Sequence, residues 1–130
     1  MDTNFVSQIL NGNVTALDNL RNALQAGHAV TLNAICYYEI YRGLYLPTYQ
    51  RKKRMFDGLV SIYGLLELNQ VALDAAIIIY QDLRQRGRLI EDADLLMGAI
   101  ARANNATLVT HNTKHFSSIF GLSLVDWEVN

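Results

Sequence analysis

Apolar and polar positions fall along this chain in blocks that read as helices separated by short extended runs. Residues 5–10 are apolar enough at helical spacing to predict a first helix, capped by Thr3 or Asn4 and broken by Asn11-Gly12-Asn13. Val14, Leu17, Leu20 and Leu24 mark one face of a second helix, which Gly27 closes. Residues 28–32 predict a strand. Asn33 then caps a helix over 34–46 that Pro47 stops. An amphipathic helix follows over 48–64, with Met55, Phe56, Leu59, Ile62 and Tyr63 apolar, and 65–68 predict a strand.

The second half alternates more regularly. Residues 71–86 are ambiguous, because Ile77-Ile78-Ile79-Tyr80 alone suits a strand while its flanks favour a helix. A helix apolar on more than one side is the better reading, which implies burial against two neighbours or against another chain. Gly87 ends it. A helix over 94–104, a strand over 107–110, a helical turn over 116–120 and a strand over 122–127 complete the chain. Strands alternating with helices predict an α/β fold on a mostly parallel sheet covered on both faces. There is no repeat, linker or low-complexity segment.

With 130 residues, 51% of them apolar, and one proline, the chain is a single domain over 1–130 with a real core. A net charge of −1 gives no general attraction to nucleic acid, so any such binding needs a local patch. The lone Cys36 excludes a disulfide framework and cysteine-based zinc sites, and suits a reducing compartment. No run of apolar residues is long enough to span a membrane, and no leader precedes a cleavage site. The expected location is the cytoplasm.

The chemistry is concentrated around residues 90–101, a loop carrying acids followed by an apolar helix, and around Val109-Thr110-His111-Asn112. Asp94 stands at the helix start, where an ordinary cap explains it as well as a site does. Asn112 follows a strand end, where ligands collect in open α/β sheets. Asp2 and Glu39 join them as candidates, with Asp92 and His115 nearby. Three carboxylates in one pocket repel each other, and a hard divalent cation such as Mg²⁺ or Mn²⁺ relieves that. Such an ion can activate a water and stabilise the leaving oxygen of a phosphodiester.

The remaining features are weaker. Arg51-Lys52-Lys53-Arg54 is the one dense basic cluster, better read as a solvated helical turn than as a phosphate-contacting patch. Tyr37, Tyr41 and Tyr45 form a stripe that suits packing or a dimer contact better than base stacking. Cys36 with His28 could suggest a thiol nucleophile, but a buried small residue is the better account. His111 and His115 flank Asn112 and could touch RNA or metal, though loop histidines are more often plain surface residues. Glycine-rich phosphate loops are absent.

Taken together, Asp2-Thr3-Asn4, Glu39 before Tyr41-Arg42-Gly43, the block over 92–99, the run over 108–116 and the terminal run over 121–127 resemble the PIN domain, and within it the VapC ribonuclease toxins of prokaryotic toxin–antitoxin pairs. The resemblance implies a three-layer α/β/α sandwich and Mg²⁺- or Mn²⁺-dependent RNA cleavage. It also implies a homodimer silenced by a small antitoxin. Carried over, Asp2, Glu39 and Asp94 match the metal-binding acids, and Asn112 the fourth position, which is often acidic. The neutral Asn112 leaves Asp92 or waters to complete the metal shell. Only Met1 precedes Asp2, where the family has an apolar central strand. The first strand is therefore expected to be truncated, or an upstream start to supply it.

These readings give a leading expectation of a metal-dependent endoribonuclease, with Arg42, Arg51, Lys52, Lys53 and Arg54 as candidate backbone contacts for RNA. The second is a truncated, catalytically weak module that mainly binds an antitoxin. A third, a phosphoacceptor domain, would need a lysine placed beside its aspartate, and Lys114 is the only remote fit.

Overall fold

Local order begins at the second residue. In the computed structural model, which describes residues 1–127, Asp2 is extended and its Oδ1 accepts the N–H of Phe5 at 2.9 Å, capping α1 (Thr3–Leu10). The helix opens earlier than the apolar pattern predicts, so Asp2 caps it rather than Thr3 or Asn4. Phe5, Val6, Ile9 and Leu10 form its buried stripe. Asn13 caps α2 (Val14–Gln25) in the same way. The buried face of α2 is Ala16, Leu20 and Ala23, whereas Val14, Leu17 and Leu24 are exposed. The larger apolar residues thus misidentify the inner face, because small side chains let this helix approach its neighbours closely.

β1 (Leu32–Asn33) leads into α3 (Ala34–Gly43), where Asn33 Oδ1 accepts the N–H of Cys36 at 2.8 Å. α3 ends at Gly43, before the expected residue 46; Leu46, just before the proline, is extended, and Pro47–Tyr49 makes one 3₁₀ turn. Then come α4 (Gln50–Tyr63), β2 (Leu65–Leu66), α5 (Gln70–Gln85), α6 (Asp92–Ala103), β3 (Thr107–Val109), α7 (Thr113–Phe116) and β4 (Ser123–Val125). Tyr37 and Tyr41 pack on Phe56 at 5.9 and 5.5 Å between ring centroids, while Tyr45 is 78% exposed. α5 buries Ala76, Ile79 and Leu83, chiefly against α6, and leaves Val71, Ile77 and Ile78 exposed. Its second apolar side is uncovered. No helix among the described residues is long and apolar enough to cross a membrane.

Every strand pairing is parallel, as expected, but the sheet is in two pieces. β1 pairs with β2 through Leu32 and Leu65, and β3 pairs with β4 through Leu108 and Leu124. Met1 and Asp2 bridge them: the Asp2 N–H donates to the Val109 carbonyl at 2.9 Å, and the Met1 ammonium donates to the Thr31 carbonyl at 3.3 Å. Asn33 Nδ2 adds a bond to the Met1 carbonyl at 3.2 Å. Beside these two residues lies a cavity of about 420 Å³, lined among others by Val30, Leu32, Ile100 and Leu108. Residues 28–31 border it, and among the described residues no strand pairs with them, so the expected strand is reduced to two residues. Burial pulls the pKa of the Met1 ammonium down.

Two apolar cores flank this seam. One gathers Phe5, Val6, Leu20, Leu32 and Phe56, with Trp127 edge-on to Phe5 at 5.0 Å. The other gathers Ile79, Leu83, Leu95, Leu108 and Phe116. Within the second, Gly98 is required by close approach: a Cβ there would lie 2.6 Å from Ile119 Cδ1 and 3.4 Å from Leu122 Cδ2. Gly98→Val should therefore destabilise the fold by about 1–3 kcal/mol in urea unfolding. Gly58, inside α4 with open space around it, should respond oppositely, Gly58→Ala adding roughly 0.5–1 kcal/mol.

Candidate active site

Asp94 sits in the first turn of α6, and the helix opens at Asp92, two residues earlier than expected. Glu91 occupies the cap position without a side-chain bond. The cap explanation of Asp94 therefore fails. Its Oδ2 lies 3.0 Å from His115 Nε2, carried back towards it by α7. Just before α7, Thr110 Oγ1 accepts the N–H of Asn112 at 3.0 Å, fixing the turn. Asp94 and His115 are both partly buried, with 29% and 30% of their side-chain surface exposed.

Glu39 lies in the middle of α3. Thr3 Oγ1 donates to its Oε1 at 2.6 Å, and Arg42 Nη2 stands 3.6 Å from its Oε2. Thr3 also touches Met97 Sδ of α6 at 3.9 Å. One hydroxyl thus ties α1 to both α3 and α6. Loss of solvent pushes the Asp94 pKa up, His115 opposes this, and the charge of Glu39 adds to it; the net shift is upward. The charge of Glu39 therefore reaches Asp94, and His115 offsets only part of what disfavours the ionised Asp94.

Asp2 is 5% exposed, its Oδ1 committed to the α1 cap. Among the described residues, no three of His, Cys, Asp and Glu are gathered closely enough to hold one metal ion. Asp92 is exposed and two positions before Asp94, roughly 200° round the helix, so it does not face the same way. Asn112 is exposed and lines a groove with His115. Cys36 is fully buried, and burial is the main cause that pushes its thiol up to about 12, which removes it as a nucleophile.

The basic candidates divide. Lys52 lines a pocket of about 260 Å³ together with Thr3, Glu39 and Tyr49. Lys53 lies 5.8 Å from the Tyr41 ring centre and Arg42 lies 5.3 Å from that of Tyr38. Arg51 and Arg54 are exposed on α4. His111 pairs with Asp126 at 3.2 Å rather than with Asp94. Sequence reasoning missed Thr3 as a site residue, although its position one residue after Asp2 in the first turn of α1 was visible. It also missed Arg88 and Lys114 as neighbours of His115, since isolated loop cations carry no periodic signal.

The chain matches the model of the PIN domain family over residues 1–120. It is 29% identical to ribonuclease VapC2 of Rickettsia felis across 98% of this chain and 96% of that protein. It is 28% identical to ribonuclease VapC1 of Methanocaldococcus jannaschii, across 77% of this chain and 71% of the relative. Its fold superposes on the crystal structure of VapBC2 from Rickettsia felis bound to a promoter DNA fragment with a TM-score of 0.88 and 25% identity, covering 97% of this chain and 96% of that one.

Asp94 departs from the usual stabilising carboxylate. Its folded pKa stands above the ordinary value, so the folded state keeps the proton longer, and stability is lost as pH rises through that window. In chelator at pH 7, Asp94→Asn should therefore melt above the wild type in scanning calorimetry. The difference should vanish at pH 3, where both side chains are neutral. A lower melting temperature for Asp94→Asn at pH 7 would contradict this electrostatic account.

Proposed function

The chain belongs to the PIN domain family, and on that premise we propose that it is a VapC-type ribonuclease, the toxin of a VapBC-type pair, cutting RNA phosphodiesters with help from a divalent metal. The observation that carries the reading is that the charge of Glu39 on α3 acts on Asp94 on α6, each carboxylate being held by a partner from another helix, Thr3 and His115. The names of the relatives, ribonucleases VapC2 and VapC1, agree with it.

The donor set suits a hard cation such as Mg²⁺ or Mn²⁺. It consists of the carboxylates of Glu39 and Asp94, where desolvation and the charge of Glu39 both disfavour the ionised Asp94 and a cation would relieve this; Asp2 keeps one oxygen outside the α1 cap but is not gathered with them into a three-ligand cluster among the described residues. When bound, such an ion lowers the pKa of a water and offsets phosphate charge. The chain's own residues do the rest. Thr3 fixes the Glu39 carboxylate, His115 orients Asp94, and Asn112 offers a neutral amide at the groove edge. Lys52 and Arg42 stand on the Glu39 side to meet the RNA backbone.

An antitoxin partner and a homodimer belong to the same proposal. Val71, Ile77 and Ile78 on α5 and Tyr45 after α3 are exposed apolar surface of the kind that partners cover. A second reading, a weak module that mainly binds its antitoxin, draws on the engagement of Asp2 as a cap and the lack of a three-ligand cluster among the described residues.

Asp94→Asn and Glu39→Gln should each lower Mg²⁺-dependent RNA cleavage by more than about 100-fold, beyond the loss set by an outer-shell partner, with unchanged circular dichroism. Thr3→Val, which removes only the hydroxyl that positions Glu39, should cost about 10–100-fold. Chelator should silence the wild type and added Mn²⁺ restore it. Full activity in Asp94→Asn would end the nuclease scheme. A folded wild type that takes up no Mn²⁺ in calorimetric titration, yet binds the antitoxin, would favour the second reading.

A further inference from the structure

The groove on the far side of Asp94 carries chemistry that the acid pair does not use. Its lining includes Arg86, Arg88, Asn112, Lys114 and His115, together with Ser117 and Ser118, and this open recess has a volume of about 730 Å³. All of these are polar, and most present hydrogen-bond donors. Arg86 is fixed: its Nη2 binds Asp82 Oδ2 at 2.6 Å and the Ser118 carbonyl at 2.5 Å. Arg88 and Lys114 ion-pair with no carboxylate among the described residues. Two unneutralised cations thus face one groove whose wall, His115, is hydrogen-bonded to Asp94.

The geometry points to this groove as the binding track for the RNA strand adjoining the scissile phosphate, with Arg88 and Lys114 each neutralising one backbone phosphate. The inference rests on the nuclease reading and extends it from the acid pair to the substrate. A phosphodiester seated at Glu39 and Asp94 must leave the site on one side or the other, and its next phosphates need cations there. On the Glu39 side stands Lys52; on the Asp94 side stand Arg88 and Lys114. The backbone is thus met by positive charge on both sides of an acidic centre. A peptide partner is the poorer fit, because the groove offers no apolar pocket in which a side chain could anchor. A fixed Arg86, tied to Asp82 and the Ser118 carbonyl, keeps the wall in place without itself being free to take a phosphate.

The test separates binding from cleavage. A short fluorescein-labelled oligouridylate is titrated in chelator against the full chain, Arg88→Ala, Lys114→Ala, the double variant and Arg21→Ala over a range of salt concentrations. The same oligonucleotide is incubated with Mg²⁺ in parallel. Each groove substitution should lower the slope of log affinity against log salt by about 0.7, and the double variant by about 1.4, while Arg21→Ala, on the distant α2, leaves it unchanged. An unchanged slope in the double variant of a wild type that does bind and cleave would overturn the groove and spare the nuclease. An equal loss in Arg21→Ala would reduce the effect to overall charge and overturn the groove as well. Competition by polyglutamate but not by unlabelled RNA would assign the groove to an acidic protein instead. A wild type that neither binds nor cleaves would remove both readings.

Discussion

The hydrogen bond from the Asp2 N–H to the Val109 carbonyl, at 2.9 Å, is the contact on which the arrangement of this molecule turns. It joins two parallel strand pairs that have no direct ladder between them. The same residue caps α1 through its carboxylate, so one aspartate sets both the seam and the direction of the first helix. Thr3 follows immediately, and its hydroxyl reaches Glu39 and Met97 from the first turn of α1. The position of the Glu39 carboxylate is thereby coupled to the backbone of the seam. A change at Asp2 would act on the fold and on the site together, and loss of activity there would not by itself identify a metal ligand.

What could be read from the sequence depended on whether a signal was local. Asn33 and Pro47 bracket α3 because a cap and a ring constraint act within a few residues, and both did so, although the helix stopped at Gly43. The acidic loop before an apolar helix placed Asp94 near the start of α6. The inner face of α2 was not legible, because Ala16 and Ala23 give a weak hydrophobic signal and become core only through the neighbours they admit. Strand lengths were overestimated for a related reason. Residues 28–31 have the composition of a strand, but a strand needs a partner, and among the described residues what binds there is the Met1 ammonium, on the Thr31 carbonyl. The candidate site was legible as residue types and as a family resemblance. Its pairings were not. Thr3 with Glu39 and His115 with Asp94 join positions 36 and 21 residues apart, beyond the reach of any local pattern.

The acid pair has an energetic cost that the fold bears openly. Asp94 is partly desolvated and near Glu39, and both effects disfavour its ionised form, with only His115 opposing them. A stability-driven sequence would place a neutral or apolar residue there. Retaining the charge is reasonable where a bound cation returns the lost energy, since a ligand that binds only the folded state stabilises it by mass action. The contrast with Asp82 is informative. That carboxylate is partly exposed, has Arg86 at 2.6 Å, and has its pKa drawn down chiefly by that hydrogen bond. It is an ordinary surface pair. Similar side chains thus play opposite parts according to solvent and partner.

A net charge of −1 conceals this division of labour. The charge of Glu39 acts on Asp94, while Lys52 shares a recess with Glu39, and Arg88 and Lys114 share another with His115, the partner of Asp94. Such a pattern cannot attract nucleic acid strongly from a distance, because the opposite charges cancel beyond a Debye length of about 8 Å at physiological salt. At contact range they no longer cancel. On the proposed reading, a polyanion laid across the centre would meet cations on its flanks and carboxylates only at its middle, where a bound divalent ion would offset the repulsion between carboxylate and phosphate. Discrimination then arises from registry rather than from bulk charge. On that same proposal a ligand would offer phosphates at the flanks and one more at the centre, and a compact anion would satisfy only one of these positions at a time.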